Sequence, residues 1–339
     1  MMKNRQGDEP LISVIIPVYN AAYCIARCLD NLLSSDYNNF EVLVVDDAST
    51  DETTRLASRA DCRIVRQTSN RGAAAARNRG SREARGKILF FLDADVFIQR
   101  EALGLIVEDL VEKSSASAVI GVYAVSQESK GFYSQYQNLF TIFNHERSKG
   151  YIGWFWTAMG AVTREAFEAA GGFNEHYTGA SAEDVELGYM MNRKGFKILY
   201  DNRIRGIHYH HHSLRSLLKN NFKKSAALVE LTWKMARHDR SSHGFTDRRN
   251  FVALVAAALL TGSLILFLLD VRWGVLHIAA WAVFVSANLP FYRFLRTEKG
   301  ALFVLRTIFL HYLIYLTVGL GSVLGTSRYY RNKISLQSG

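Results

Sequence analysis

The sequence predicts an α/β fold, with a mostly parallel sheet flanked by helices, followed by C-terminal helices that cross a membrane. Three observations predict it. Strand and helix patterns alternate from residue 11 to about 112, three long apolar segments follow residue 250, and the basic charge is concentrated late in the chain. Residues 1–200 hold 22 basic and 25 acidic side chains, a net charge of −3, so the last 139 residues, at +13, account for the whole net charge of +10.

The alternating region contains five predicted strands and three predicted helices. The predicted strands are Leu11–Ile16, Glu41–Val45, Arg63–Arg66, Ile88–Leu92 and Ala118–Val125. The predicted helices are Ala22–Ser34, Gly72–Arg85 and Arg100–Lys113. This order favours parallel strands with helices on both faces of the sheet. Ligands of such sheets bind beyond the carboxyl ends of the strands, so the polar residues that follow each strand are the candidate functional residues.

The pattern changes after residue 126. Residues 131–156 are rich in aromatic residues and show few strand or helix signals. Ser181–Asn192 is predicted as a helix, and the segments 197–200 and 203–207 as strands. Leu214–Ala236 has apolar residues at helical spacing and a basic opposite face, which is typical of a helix on a bilayer surface. An ordinary domain helix with a solvated basic face is the alternative.

The apolar segments predict two or three transmembrane helices within residues 251–326, at 251–269, 274–292 and 303–325. The N-terminus lacks the apolar stretch of a signal peptide, so we expect the preceding residues in the cytoplasm. The flanking basic residues then indicate an anionic lipid surface as the partner, not nucleic acid. Three spans would place the basic residues after 326 outside, against the positive-inside tendency; an interfacial or re-entrant segment 301–325 is the alternative.

These boundaries divide the chain into five parts. A tail of residues 1–10 precedes the α/β domain at 11–212, and a basic juxtamembrane helix and linker follow at 213–250. The apolar helices occupy 251–326, and a basic tail ends the sequence at 327–339. The three cysteines, Cys24, Cys28 and Cys62, are too few and too unevenly spaced for a disulfide framework or a zinc site, and Cys24 and Cys28 are predicted to pack in the core.

Paired carboxylates follow two of the predicted strands. Asp93 and Asp95 come directly after Ile88–Leu92, and two such carboxylates on one side of an extended segment attract a divalent cation. Asp46 and Asp47 follow Glu41–Val45, where a carboxylate accepts hydrogen bonds from a ribose or a base. Each pair also fits a turn, because Asp favours turns and helix caps. Two acidic sites at the same edge of one sheet strengthen the functional interpretation.

Two later clusters are candidates for chemistry. Glu183 and Asp184 open a predicted helix, where they serve either as a general base or as capping residues. The histidines at 208 and 210–212 follow a strand, where one can complete a carboxylate-rich metal site or all can face solvent. Residues 17–20, after the first strand, contain no glycine-rich phosphate loop, which argues against a dinucleotide fold or a P-loop.

In order along the chain, five motifs resemble a known family: SVIIPVYN from Ser13, VVDDASTDE from Val44, NRGAAAARNRG from Asn70, FLDAD from Phe91 and AEDVEL from Ala182. Together they are similar to the family 2 inverting glycosyltransferases, and the resemblance covers roughly residues 11–240. It implies the GT-A nucleotide-diphospho-sugar transferase fold. It also implies transfer of a single sugar from a nucleotide-diphosphate sugar to a hydroxyl, with a divalent metal, Mn²⁺ or Mg²⁺, as the cofactor.

The resemblance also implies roles for individual residues. Pro17, Val18 and Tyr19 would line the nucleotide pocket, Asp46 or Asp47 would contact base and ribose, and Arg77 would help to hold the nucleotide. Asp93 and Asp95 match the DXD motif, which ties the donor diphosphate to the metal. Asp184, preceded by Glu183, matches the catalytic base. His210 or His208 would match a histidine near the metal.

The choice of acceptor leaves alternatives open. The basic helix and the apolar segments favour a membrane-associated acceptor, such as a lipid-linked glycan, that aromatic residues including Trp154 and Trp156 could contact. The Gln-x-x-Arg-Trp motif of processive synthases is missing, which argues against chain polymerisation. A polyprenyl-phosphate sugar synthase is the first alternative, although members of that group generally lack the Glu-Asp base. A non-catalytic membrane scaffold is the second.

Overall fold

The computed structural model describes residues 9–113, 115–125, 129, 131–177, 181–238 and 248–335. Most of the predicted tail 1–10, the linker residues 239–247 and the last four residues lie outside that part. The chain divides into two compact units, Met1–His211 and His212–Gly339. The first is an α/β unit with a nine-stranded sheet, and the second consists of helices.

Half of the sheet is parallel, as the alternating pattern predicts. Its strands are β1 (Ile12–Val18), β2 (Phe40–Asp46), β3 (Arg63–Arg66) and β4 (Ile88–Leu92), in the spatial order β3-β2-β1-β4. The connecting helices are α1 (Ile25–Leu33), α2 (Thr53–Ala57) and α3 (Ala73–Glu83). Every residue of β4 is buried, because its neighbours cover both faces and both edges. The carboxyl ends of β1, β2 and β4 therefore open at one edge of the sheet.

The other half of the sheet is mixed. It contains β5 (Val96–Ile98), β6 (Ala118–Tyr123), β7 (Gly150–Ile152), β8 (Met159–Thr163) and β9 (Ile198–His208). Strand β8 runs antiparallel between β4 and β6, and β9 pairs with β6 in parallel and with β5 and β7 in antiparallel. The two strands predicted at 197–200 and 203–207 are thus one strand, whose register against β6 shifts between Ile120 and Val122.

Four helices complete the first unit: α4 (Ala102–Val107), which continues as a π-helical turn to Glu112, α5 (Phe132–His145), α6 (Arg164–Ala170) and α7 (Glu183–Arg193). The expectation of little regular structure over 131–156 is wrong for α5. Aromatic residues favour strands by propensity, but Tyr136, Leu139 and Ile142 share one buried helical face. Burial of that face decides the conformation.

The second unit consists of α8 (Leu214–His238), α9 (Arg248–Leu269), α10 (Gly274–Lys299) and α11 (Ala301–Ser335), with a 3₁₀ turn at Val271–Trp273. Three stretches are long and apolar enough to cross a membrane: Phe251–Leu269, Val271–Lys299 and Ala301–Lys333. Residues 327–335, predicted as part of a basic tail, instead continue α11. No proline interrupts residues 320–335, and the helix continues through Gly325 into the basic segment.

Small residues set the packing within this unit. Ala253, Ala256 and Ala257 of α9 are buried against α10. Helices α8 and α11 run parallel where they touch, because Gly321 meets the carbonyl of Phe222 and Gly325 meets that of Ala226. A Cβ atom on Gly325 would lie 2.3 Å from the Ala226 carbonyl oxygen, so only glycine permits this approach. We name this contact the α8–α11 seam.

Candidate active site

A cavity of about 380 Å³ opens at the carboxyl ends of β1 and β4, where the sequence analysis expects a ligand. The predicted site residues that line it are Pro17, Val18, Tyr19, Asp47, Arg77, Asp93 and Asp95. Small side chains, Ala73 and Ala76 of α3, form another part of its wall. The alanine-rich start of α3 therefore leaves room beside the carboxylates.

Two loops at the mouth of the cavity hold each other in place. The side-chain oxygen of Asn20 accepts a hydrogen bond from the backbone amide of Thr50 at 2.8 Å. The backbone amide of Asn20 donates to Ser49 Oγ at 3.0 Å. Asn20 and Ala48 both have positive φ angles, 52° and 63°. A left-handed alanine is strained, and such strain is concentrated at functional sites. These contacts shape one rim of the cavity.

Asp46 and Asp47 are buried and have different environments. Asp46 Oδ1 accepts the Ser49 amide at 2.9 Å, so this carboxylate organises its own turn, as the turn interpretation predicts. Asp47 accepts from the amides of Arg71 and Gly72 at 2.7 and 2.8 Å and also lines the cavity. Asp46 does not line the cavity. Of the pair, Asp47 is the one positioned to contact a ligand.

Arg77 joins two segments that are far apart in the sequence. Its Nη2 donates to Asp93 Oδ1 at 2.8 Å, and its Nη1 donates to Glu183 Oε1 at 3.3 Å. Burial by itself lowers the pKa of Arg77, but the two carboxylates outweigh it and raise that pKa. Burial raises the pKa of Asp93 and the ion pair with Arg77 opposes this rise. The arginine thereby ties the end of β4 to the start of α7.

Asp95 forms a cluster with two histidines. Its Oδ2 lies 3.0 Å from His210 Nδ1 and 3.6 Å from His208 Nε2. Antiparallel pairing of β5 with β9 causes this meeting, because Val96 is the register partner of His208 and the Tyr209 amide donates to the Asp95 carbonyl. Burial opposes it, but the neighbouring imidazoles of His208 and His210 hold the pKa of Asp95 well below its usual range. Among the residues that the structure describes, these three form the one group with metal-ligand spacing.

The predicted metal set therefore differs from the observed cluster. The predicted ligands are Asp93, Asp95 and His210, but Arg77 occupies Asp93 Oδ1, and His208 lies beside Asp95 in its place. In an extended segment, Asp93 and Asp95 would point to the same side. The chain turns here instead, because the Val96 amide donates a hydrogen bond to the Asp93 carbonyl. The spacing of two residues between His208 and His210 is the sequence feature that could have predicted that both histidines join the cluster.

Helix α7 begins beside this cavity. Glu183 is 4% exposed, and its Oε2 accepts the Ser181 amide at 3.0 Å while Oε1 accepts Arg77. Both oxygens are thus engaged, so Glu183 holds the helix start. Asp184, the next residue, is only partly buried. The helix packs closely at Gly188, where a Cβ atom would lie 2.4 Å from the Phe155 amide nitrogen.

Two further lining residues were not singled out as site residues. Tyr23 and Cys24 precede α1 and line the cavity near Asp95. Burial first, and the nearby Asp95 charge second, raise the pKa of Cys24 to about 12, so this thiol is neutral. Core packing predicts the burial of Cys24 and Cys28 correctly. The apolar stripe of α1 gives no indication that its first turn borders a cavity.

Comparisons with known proteins show a family match and related sequences. Residues 13–171 match the family model described as glycosyl transferase family 2. Validoxylamine A glucosyltransferase of Streptomyces hygroscopicus subsp. jinggangensis is 27% identical over an alignment of 293 residues, and the match covers 74% of this chain and 69% of that protein. Glycosyltransferase GlyG of Streptococcus pneumoniae is 33% identical over an alignment of 129 residues. That match covers 36% of this chain and 42% of GlyG.

A solved structure has a similar fold. Mannosyltransferase PcManGT from Pyrobaculum calidifontis, solved in complex with GDP-Man and Mn²⁺, gives a TM-score of 0.58 at 20% identity. The match covers 93% of this chain and 88% of that one. The likeness concerns the fold, an α/β GT-A-like unit with apolar C-terminal helices.

Proposed function

Residues 13–171 form a glycosyl transferase family 2 domain, and from that premise we propose that this glycosyltransferase is inverting, metal-dependent and bound to a membrane. It moves one sugar from a nucleotide-diphosphate sugar to a hydroxyl of a membrane-associated acceptor, such as a lipid-linked glycan. The observation that carries the proposal is the cluster of Asp95, His208 and His210, since Asp95 also lines the cavity. A metal held there would face the donor.

The donor site is assigned to the cavity. Pro17, Val18 and Tyr19 contact the nucleotide base, and Asp47 accepts hydrogen bonds from the ribose. Asp93 also lines the cavity, and its Oδ2 is left to contact the donor while Oδ1 pairs with Arg77. Arg77 is 4% exposed and engaged by two carboxylates, so we assign it a supporting role in the donor site.

The residues present fit a divalent metal. Two ligand atoms at right angles, each about 2.1 Å from an ion, stand about 3 Å apart, close to the 3.0 and 3.6 Å separations of Asp95 from the histidines. The ion would replace the hydrogen that His210 and Asp95 share. Two imidazole nitrogens favour a transition metal over Mg²⁺, which prefers oxygen. The bound metal supplies positive charge that neutralises the leaving diphosphate.

The base is assigned to Asp184. A sugar hydroxyl is a poor nucleophile, so a carboxylate must take its proton during attack on the anomeric carbon. A single displacement inverts that carbon, and it requires the base and the leaving group on opposite sides of the sugar. Asp184 comes from α7 and Asp95 from the end of β4, so two separate elements supply them. Glu183 acts through Arg77 as a positioning residue.

The acceptor is assigned from the second unit. Three helices are apolar and long enough to cross a membrane, and side chains such as Leu268, Leu269 and Val275 are at least 75% exposed. Exposed apolar surface of this extent is costly in water and favourable in lipid. Basic residues around the helices support a cytoplasmic location for the catalytic unit. An enzyme anchored in this way meets membrane-bound acceptors.

The test uses the full chain purified in detergent. Donor binding and transfer are measured with Mn²⁺ and a panel of UDP-, GDP- and TDP-sugars for wild type, Asp95→Asn and Asp184→Asn. Asp30→Asn is the matched control, because Asp30 is exposed on α1 away from the cavity. We expect one donor to bind with metal, binding to weaken in Asp95→Asn, and Asp184→Asn to bind that donor but lose transfer to a hydroxyl.

Two outcomes contradict the proposal. Full transfer by Asp184→Asn to a polyprenyl phosphate, with none to a hydroxyl, would favour the sugar synthase, whose acceptor is already ionised. Wild-type protein that binds no nucleotide sugar with any divalent metal would favour the scaffold.

A further inference from the structure

The imidazole of His208 is held on three sides. The Tyr123 ring lies parallel to it, with 4.5 Å between centroids and 1° between planes, and the His210 ring lies 5.6 Å away at 3°. In the ring plane, His208 Nδ1 lies 2.6 Å from Asn138 Oδ1. These contacts leave the ring little freedom to turn, and they direct its Nε2 towards Asp95 Oδ2.

Asn138 determines which nitrogen of His208 carries hydrogen. Its amide group faces two atoms of the same residue: Nδ2 lies 3.4 Å from the His208 carbonyl oxygen, and Oδ1 faces Nδ1. A carbonyl oxygen only accepts, so the amide must present its NH₂ to it and its oxygen to the ring. Nδ1 must then donate. In a neutral imidazole, the lone pair is left on Nε2, the atom nearest Asp95.

The burial of Asn138 strengthens this reasoning. It is 2% exposed, in the middle of α5, and a buried amide without partners costs free energy. Its hydrogen bonds to His208 are therefore the reason that an amide is tolerated at this position. Metal-binding histidines generally donate their second ring nitrogen to such a partner, which fixes tautomer and orientation.

We propose that Asn138 is a positioning residue for the metal site, which holds His208 in the tautomer whose Nε2 lone pair can bind a divalent cation. The inference rests on the metal site of the proposed function. Asn138 itself touches neither donor nor metal. The sequence gives no sign of this role, because Asn138 lies 70 residues before His208, in the aromatic-rich segment 131–156.

The experiment measures Mn²⁺ affinity, by electron paramagnetic resonance of the free ion, for the full chain in detergent. Asn138→Leu removes both hydrogen bonds at similar volume. Asn138→Asp keeps an acceptor for Nδ1–H. Asn144→Leu is the matched control, because Asn144 lies on the same helix and bonds back to the Phe140 carbonyl. Each Asn138 change is repeated with His208→Ala.

We expect Asn138→Leu to weaken Mn²⁺ binding about 10- to 100-fold. Asn138→Asp and Asn144→Leu should stay within about threefold of wild type, and Asn138→Leu should have no further effect with His208→Ala. At saturating Mn²⁺, Asn138→Leu should regain most of its kcat, which a merely unfolded protein would not.

Three results would overturn the inference. Wild-type affinity in Asn138→Leu would remove the role of Asn138 and leave the metal site intact. An equal loss with and without the His208 side chain would show that Asn138 acts on structure generally. Wild-type protein that binds no Mn²⁺ would remove the metal site itself, and the role of Asn138 with it.

Discussion

Gly188→Ala is expected to slow sugar transfer strongly while the donor and the metal still bind. The added Cβ atom would lie 2.4 Å from the Phe155 amide nitrogen, and 2.7 and 2.8 Å from the carbonyl carbon and Cα of Trp154. All three are backbone atoms, so no side chain can rotate away. Ordinary contact begins at about 3.4 Å, so α7 and the 154–155 segment must separate by about 1 Å.

That displacement sets the magnitude. Asp184 lies one turn before Gly188 on α7, so the proposed base moves with the helix. A misplacement of about 1 Å costs on the order of 100-fold in rate, because proton transfer needs hydrogen-bond distance. Overpacking also lowers the free energy of unfolding by about 1–3 kcal/mol. The lining residues Asp47 and Asp95 lie on other elements, so Mn²⁺ affinity should change little. Donor affinity depends on α7 only through the contact of Glu183 with Arg77, so it should fall much less than kcat.

The assay compares kcat for transfer, donor affinity and Mn²⁺ affinity in Gly188→Ala and in Gly104→Ala. Gly104 is also helical, but a Cβ atom there meets nothing within 4 Å, so this control should transfer sugar normally and gain up to about 1 kcal/mol from helix propensity. A folded Gly188→Ala protein with kcat within threefold of wild type would refute the link between the position of α7 and catalysis. Equal losses in donor binding and kcat would also refute it.

Two further changes test buried charges. Arg77→Met leaves Asp93 and Glu183 without their partner, so we expect a loss of about 3–5 kcal/mol in stability, measured by thermal unfolding of the solubilised protein; an unchanged melting temperature would contradict the bridge. Burial, and the neighbouring Asp201, raise the pKa of Asp109 to about 7, so the folded state holds a proton there that the unfolded state loses near pH 4. The stability that this proton contributes is therefore lost as pH rises from about 4 through 7. Asp109→Asn should reduce the fall in melting temperature between about pH 5 and 8. An equal fall in the variant and in wild type would contradict this.

The parallel half of the fold was predictable because its signals are local. Strands β1, β2 and β4 are short, mostly apolar runs, and the polar residues that follow β2 and β4, Asp47 and Asp93, line the cavity as expected. The bounds of β3 and β4 agree to the residue. The mixed half depends on pairing between distant segments. Nothing near Met159–Thr163 indicates that β8 inserts between β4 and β6.

The site shows the same division between local and distant information. Neighbouring carboxylates, such as Asp93 and Asp95, are visible in the sequence as candidates. Which of them pairs with an arginine and which with histidines depends on the register of β5 against β9, which no local pattern encodes. The role of Asn138 is the hardest to predict from sequence, because it depends entirely on the contact of its amide with the His208 ring.

The α8–α11 seam has a consequence for the order of events at the ribosome. Ala226 is synthesised 99 residues before Gly325, the residue that it contacts, and the whole α9–α10 hairpin is made between them. At roughly 5–20 residues per second, the face of α8 that the seam covers waits about 5–20 s for its partner. During that interval only lipid or a chaperone can shield it. The helix that follows the catalytic unit thus reaches its final packing late, after the hairpin has been made.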